Sequence, residues 1–150
     1  MEQVDVVVVG GGPGGVLFAY MAARAGLRVQ LLEAHADFNR EFRGDTLNPL
    51  ALTLLEELGL IDKVLQLPHG KVSTLRGAGT IQYMLSYGML KTKYPYVMIL
   101  SQSIFLNFMV DQAKQYSNFN VTMNARVNNL IEENGVIMGV EYRDSSGQIH

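Results

Sequence analysis

Residues 10–15, Gly-Gly-Gly-Pro-Gly-Gly, lie between a β-branched run at 4–9 and a stretch of helical character that continues to Ala25. No other feature restricts the fold of this chain as much. The run 4–9, interrupted only by Asp5, reads as a strand buried on both faces, the kind found in parallel sheets. Pro13 suits a first helical turn, where its missing N–H is not needed. Gly26 is placed to end that helix in a left-handed conformation. Residues 27–33 (LRVQLLE) then predict a second strand, completing one βαβ unit.

Within that unit the spacing is Gly10-x-Gly12-x-x-Gly15, with Glu33 at the end of the second strand, 21 positions beyond Gly12. Gly10 permits the tight turn, Gly12 lets a pyrophosphate approach the backbone, and Gly15 lets the helix lie close on the sheet. The helix start offers unpaired N–H groups and the positive end of its dipole to a diphosphate. A carboxylate at Glu33 accepts hydrogen bonds from an adenosine ribose and repels a 2′-phosphate. A glycine motif alone is often a mere turn. Strand, motif, helix and acid in this order instead indicate a site for an adenine dinucleotide with a free 2′-hydroxyl. FAD and NAD both satisfy that description.

The remaining sequence narrows the class. The chain has 150 residues, 48% of them apolar and 17% charged, which is enough for one cored domain and excludes disorder. A net charge of −2 leaves no basic field for nucleic acid, and the absence of cysteine excludes disulfides, thiolate metal sites and a cysteine nucleophile. The longest apolar candidate for a membrane span, 16–25, is broken by Arg24 and is far shorter than the roughly 18 residues required. The acidic start leads directly into a strand and does not resemble a secretory signal. A cytoplasmic location is therefore expected.

Residues 34–46 are polar and irregular. Asn48-Pro49 marks a helix start, with Leu50, Leu54, Leu55 and Leu58 at helical spacing and Gly59 closing it; a short helix at 60–67 follows. Residues 71–100 read as short strands with glycine turns, and 103–116 as a helix with Phe105, Met109 and Ala113 on one face. A strand near 119–123 precedes a meander of 127–132, an Asn134-Gly135 turn and 136–143. Residues 148–150 begin a further strand, which reads as a shortened chain whose open sheet edge invites self-association.

The segment after Glu33 does not continue as an NAD-binding half would. Residues 43–49, Arg-Gly-Asp-Thr-Leu-Asn-Pro, followed by LALTLLEELGL, resemble the FAD-dependent aromatic hydroxylases, the group A flavin monooxygenases of the para-hydroxybenzoate hydroxylase type. The stretch YPYVMILSQSIFLNFMVDQA, with Gln102 between strand and helix, is similar to a second FAD contact region of that family. The resemblance implies an α/β fold of the FAD-binding Rossmann type, a βαβ unit and parallel sheet with a β-meander. It further implies that 1–150 is a truncated FAD-binding domain and that 71–100 is part of an inserted, β-rich substrate-domain sheet. Gly10, Gly12, Pro13, Gly14 and Gly15 would hold the pyrophosphate, and Glu33 with Ala34 the adenosine end. Arg43 would reach the phosphates or ribityl chain, Gln102 the ribityl and pyrophosphate portion, and Val127 the adenine through its backbone. Members of that family oxidise aromatic small molecules with FAD, O₂ and NADH or NADPH. Their remaining flavin and substrate motifs lie beyond the residues of this chain. A flavin dehydrogenase or reductase without oxygen activation is one alternative, and a non-catalytic partial dinucleotide-binding module is another.

Other candidates read as bland. His35 and His69 lie in polar loops and His150 is terminal, none with a second histidine or an acid at ligand spacing, so no metal site is expected. Ser101 and Ser103 lack the context of a nucleophile. Asp45 suits either a position near the flavin or, with Thr46, the ordering of the approach to the next helix, and the structural role is the one expected. Tyr83, Tyr87, Tyr94 and Tyr96 suit an aromatic pocket or half-exposed strands equally. The eight methionines are expected to fill core gaps.

Overall fold

A computed structural model describes residues 3–39, 44–76 and 84–150. In chain order the elements are β1 (Val6–Val9), α1 (Pro13–Arg24), β2 (Val29–Leu32), β3 (Thr46–Leu47), α2 (Pro49–Glu57), α3 (Ile61–Val64), β4 (Gly70–Val72), β5 (Thr74–Arg76) and β6 (Met84–Ser86). A single 3₁₀ turn at Tyr87–Met89 leads to β7 (Val97–Ile99), α4 (Gln102–Ala113), β8 (Phe119–Thr122), β9 (Arg126–Glu133) and β10 (Val136–Arg143). The chain divides into two compact units, Met1–Arg40 with Leu106–His150, and Glu41–Phe105.

In the first unit a parallel sheet runs β1-β2-β8, with Val6 opposite Val29 and Val29 opposite Phe119. The α/β fold with a parallel sheet is thus the one the glycine motif predicts. The burial differs. Among the described residues β2 lies between β1 and β8, with Val29 and Leu31 fully buried, while in β1 Val9 is 55% exposed. Of the four residues of β1 only Val8 is buried, less than a strand covered on both faces would show.

Helix α1 packs on this sheet through Val16, Ala19, Tyr20 and Ala23, at the i, i+3, i+4, i+7 spacing of one helix face. Small residues at 19 and 23 bring the helix axis close to the strands. Its C-terminus is closed by Gly26 at φ +91°, with Gly26 N–H donating to the Ala23 carbonyl and Leu27 N–H to that of Ala22. This double bond is the Schellman arrangement, and Gly59 ends α2 in the same way through the carbonyls of Glu56 and Leu55. The Asn118 side-chain amide donates to the carbonyls of Ala23 and Leu27, tying the end of α1 to the start of β8. The hairpin β9–β10 turns at Asn134 and Gly135, both at positive φ as a two-residue turn requires. Leu130, Ile137 and Met138 on this hairpin are more than half exposed. Beyond it, the Tyr142 and His150 backbones exchange hydrogen bonds.

In the second unit an antiparallel sheet runs β3-β7-β4, and β5 pairs with β6. Asn48 caps α2 by accepting from Ala51 N–H at 2.9 Å, with Pro49 in the first helical position. Leu52, Leu55, Val64, Met98 and Leu100 form the core. Met98 and Met109 are fully buried, but Met84, Met89 and Met138 are more than 60% exposed, so the methionines are not uniformly core filling. Tyr94 is buried edge-on to Tyr96, Tyr87 is half-buried, and Tyr83 lies outside the described residues.

Asp5, the polar interruption in the first strand, is clasped by Arg28: the guanidinium Nη2 lies 2.7 Å from Oδ1, and Nε and the backbone N–H of Arg28 both donate to Oδ2. These bonds lower the Asp5 pKa from 3.8 to about 2. A depressed carboxyl stabilises the fold above its ordinary pKa, and that contribution disappears as pH falls through the folded value. Asp5→Asn should therefore unfold at lower urea than wild type at neutral pH, and the two midpoints should converge as pH approaches 2. A difference that persists undiminished in acid would assign the effect to something other than the ionised clasp.

Candidate functional site

The site of greatest chemical potential lies where β1 and β2 end. Gly10 leaves β1 at φ +99°, a conformation that L side chains avoid, and its N–H donates to the Leu32 carbonyl. The chain then reverses through buried Gly11 and enters α1 at Gly12, the N-cap, with Pro13 first in the helix. Three of these glycines divide into two kinds. A Cβ on Gly15 would overlap the Gly10 carbonyl oxygen, so the approach of helix to loop depends on its absence. A Cβ on Gly12 or Gly14 would meet nothing within 4 Å. Protein packing leaves open space at those two positions.

That open space faces a helix start with donors to spare. N–H groups in a first helical turn have no intrahelical acceptor, and Gly12 carries no side chain to cap them. No acidic residue occupies the first turn of α1 either. The arrangement fits a diphosphate: unpaired N–H groups, a positive dipole end and a cradle that a side chain would fill.

Glu33 follows β2 and is only 2% exposed. Its Oε2 accepts from Gly11 N–H at 2.6 Å, and its Oε1 accepts from the His35 backbone N–H at 2.9 Å and lies 2.6 Å from His35 Nδ1. Phe38, also buried, covers Gly11: a Cβ there would lie 2.8 Å from Phe38 Cε1 and 3.0 Å from Glu33 Oε2. The backbone of 33–35 is held by a turn at Asn124 (φ 57°), whose N–H donates to the His35 carbonyl, while Ala125 N–H donates to that of Glu33. Beside this turn Ala34, Asn124, Arg126, Arg143, Asp144 and Ser145 line an open cavity of about 200 Å³. Val127 follows in β9, paired with Tyr142. The structure thus gathers Gly10, Gly12, Pro13, Gly14, Gly15 and Glu33 around one loop, with Ala34 on the adjoining cavity.

Gln102 is the first residue of α4, and its N–H donates to Asp45 Oδ1 at 2.8 Å. Asp45 therefore serves a helix, though α4 rather than the next one in sequence. Arg43 lies outside the described residues. His35 and His150 do meet acids, Glu33 and Asp144 respectively, because chain turns bring together residues that loop composition leaves apart. Among the described residues no group of three or more metal-binding side chains assembles. In the second unit Thr46, Asn48, Val72, Leu75, Tyr87, Val97 and Ile99 line a further cavity of about 280 Å³. The contacts that sequence reasoning missed are the Gly11–Glu33 bond, the Phe38 cover and the His35 partnership. All three depend on where the segment 34–39 folds back, and only the Asp37-Phe38 pair hinted at a turn with an apolar anchor.

The loop and its acid define a dinucleotide-binding α/β protein. A family model described as FAD binding domain matches residues 3–150, and the chain belongs to that family. It is 30% identical over 92% of its length to a 6-methylpretetramide 4-monooxygenase of Streptomyces rimosus, and 29% identical over 96% to a squalene monooxygenase of Brassica napus. The structure of p-nitrophenol 4-monooxygenase from Pseudomonas putida superposes with a TM-score of 0.85 at 25% identity over 98% of the chain. The chain spans 34%, 28% and 38% of those three proteins. Among the described residues no helix is long and apolar enough to cross a membrane.

The two glycine roles separate experimentally. Gly15→Ala should destabilise the fold by roughly 1–3 kcal/mol, since the overlap is with backbone that has little room to yield. Gly12→Val should leave the far-UV circular dichroism and stability near wild type while abolishing FAD binding. Equal stability of Gly15→Ala and wild type in urea denaturation would contradict the close approach described.

Proposed function

We propose that the protein to which this chain belongs is an FAD-dependent monooxygenase acting on a small aromatic molecule, with O₂ and NADH or NADPH as co-substrates. In this reading residues 1–150 supply the adenosine and pyrophosphate end of the FAD site. The supporting observation is the pairing of open space at Gly12 and Gly14 with uncapped helix N–H groups, one hydrogen bond away from a buried Glu33. The N–H groups of the first turn hold the diphosphate, Glu33 accepts from the adenosine ribose, and Ala34 and Val127 border the adenine. Arg43 and Gln102 are assigned to the phosphate and ribityl portions by the family resemblance, and 71–100 to a substrate-domain sheet. Bound FAD would supply the redox chemistry, and the residues of this chain bind and orient it. The aromatic substrate class rests on the resemblance at 43–60 and on the nitrophenol enzyme among the structural relatives.

Two measurements test this reading. NAD should displace FAD from the protein better than NADP does, because a 2′-phosphate would face the Glu33 carboxylate; the reverse order would contradict the ribose assignment. In the protein containing this chain, NAD(P)H consumption should rise with an added phenolic substrate and incorporate one oxygen atom from ¹⁸O₂ into product. Turnover with an artificial acceptor and no incorporation would instead establish a dehydrogenase or reductase.

A further inference from the structure

Glu33 is the acid of the proposed ribose site, yet two of the three hydrogen bonds described to its carboxylate come from a single residue two positions later. His35 presents both its backbone N–H and its ring Nδ1 to the same oxygen, Oε1, at 2.9 and 2.6 Å. The other oxygen, Oε2, is fixed by Gly11 N–H at 2.6 Å. An ionised carboxylate only accepts, so the His35 ring must place its proton on Nδ1. The imidazole is otherwise largely in solvent: its side chain is 58% exposed while that of Glu33 is 3% exposed. Packing does not explain an exposed ring turned back on a buried acid. The acid holds the ring, and the ring is one of the groups that hold the acid.

We propose that His35 is a positioning residue for the adenosine ribose: its Nδ1–H and backbone N–H orient the Glu33 carboxylate, bridged to Gly11, so that the ribose hydroxyls meet an aligned acceptor. The inference rests on the dinucleotide reading above. A carboxylate so held keeps one rotamer when the ligand arrives, and its charge is supported by these donors. The same bonds join the glycine loop to the end of β2, so that ribose recognition and the diphosphate cradle share one brace. Glu33 would touch ligand; His35 would act through it.

Calorimetric titration of the chain with ADP and with 2′-deoxy-ADP tests this. Wild type should prefer ADP, and Glu33→Gln should lose most of that preference. His35→Ala should weaken ADP about tenfold, the scale of one charge-assisted hydrogen bond, with little change for 2′-deoxy-ADP. His35→Asn, whose side-chain amide offers a donor close to where Nδ1 sits, should recover most of the loss. Should His35→Ala fail to fold, His35→Phe keeps the ring bulk without the donor and supplies the same contrast. Equal weakening of both ligands, or tighter ADP binding in His35→Ala, would overturn the positioning role while a lost preference in Glu33→Gln leaves the ribose reading intact. An unchanged preference in Glu33→Gln, or no ADP binding by wild type, would overturn the ribose reading and this inference with it.

Discussion

The close approach of Gly15 to the Gly10 carbonyl is the constraint on which the first unit depends. No side chain fits between helix α1 and the loop, so the helix start is pinned against the end of β1. From that fixed point the rest follows in order. Ala19 and Ala23 keep the helix close along its length, Val16 and Tyr20 fill the space beside them, and the Schellman turn at Gly26 delivers the chain into β2 next to β1. The loop is then close enough for Glu33 to reach back across 22 positions of sequence to Gly11 N–H. A larger residue at 15 would displace the helix start and, with it, every donor that faces the cradle.

Glycine is thus used for two opposed purposes within six residues. At Gly15 the missing side chain lets protein meet protein. At Gly12 and Gly14 it leaves space that the protein itself does not use. Open space over a donor-rich helix start beside a buried carboxylate is difficult to account for as a device of stability, since neither Gly12 nor Gly14 needs to lack a side chain for the fold to pack. Membership of the FAD binding domain family gives that space an occupant, and the chemistry of the surrounding groups is that of a diphosphate and a ribose.

Much of this was legible in sequence because the relevant physics is local. The βαβ unit, the glycine caps at 26 and 59, the Asn48-Pro49 helix start and the Asn134-Gly135 hairpin each follow from the backbone preferences of a few adjacent residues. Burial was less legible. Residues 4–9 read as a strand buried on both faces by composition, but of β1 only Val8 is buried, because the cover on a strand's faces comes from segments distant in sequence. Asp45 and Gln102 show the same limit: the acid at 45 caps a helix that begins 57 residues later, a partnership without any local signature. The His35–Glu33 contact is a third instance. A histidine two positions from a carboxylate is unremarkable in a loop, and only the reversal of the chain over Phe38 and the turn at Asn124 directs both side-chain ends to one point.

The first turn of α1 is where a diphosphate must bind. Backbone amide resonances of the isotopically labelled chain, followed by heteronuclear NMR during titration with ADP, report this directly. Large saturable shifts at Gly12, Gly14 and Gly15, accompanied by Gly11 beside the Glu33 carboxylate, are the predicted result. Shifts centred elsewhere, with those four amides unmoved, would contradict the claim that this loop is a dinucleotide cradle.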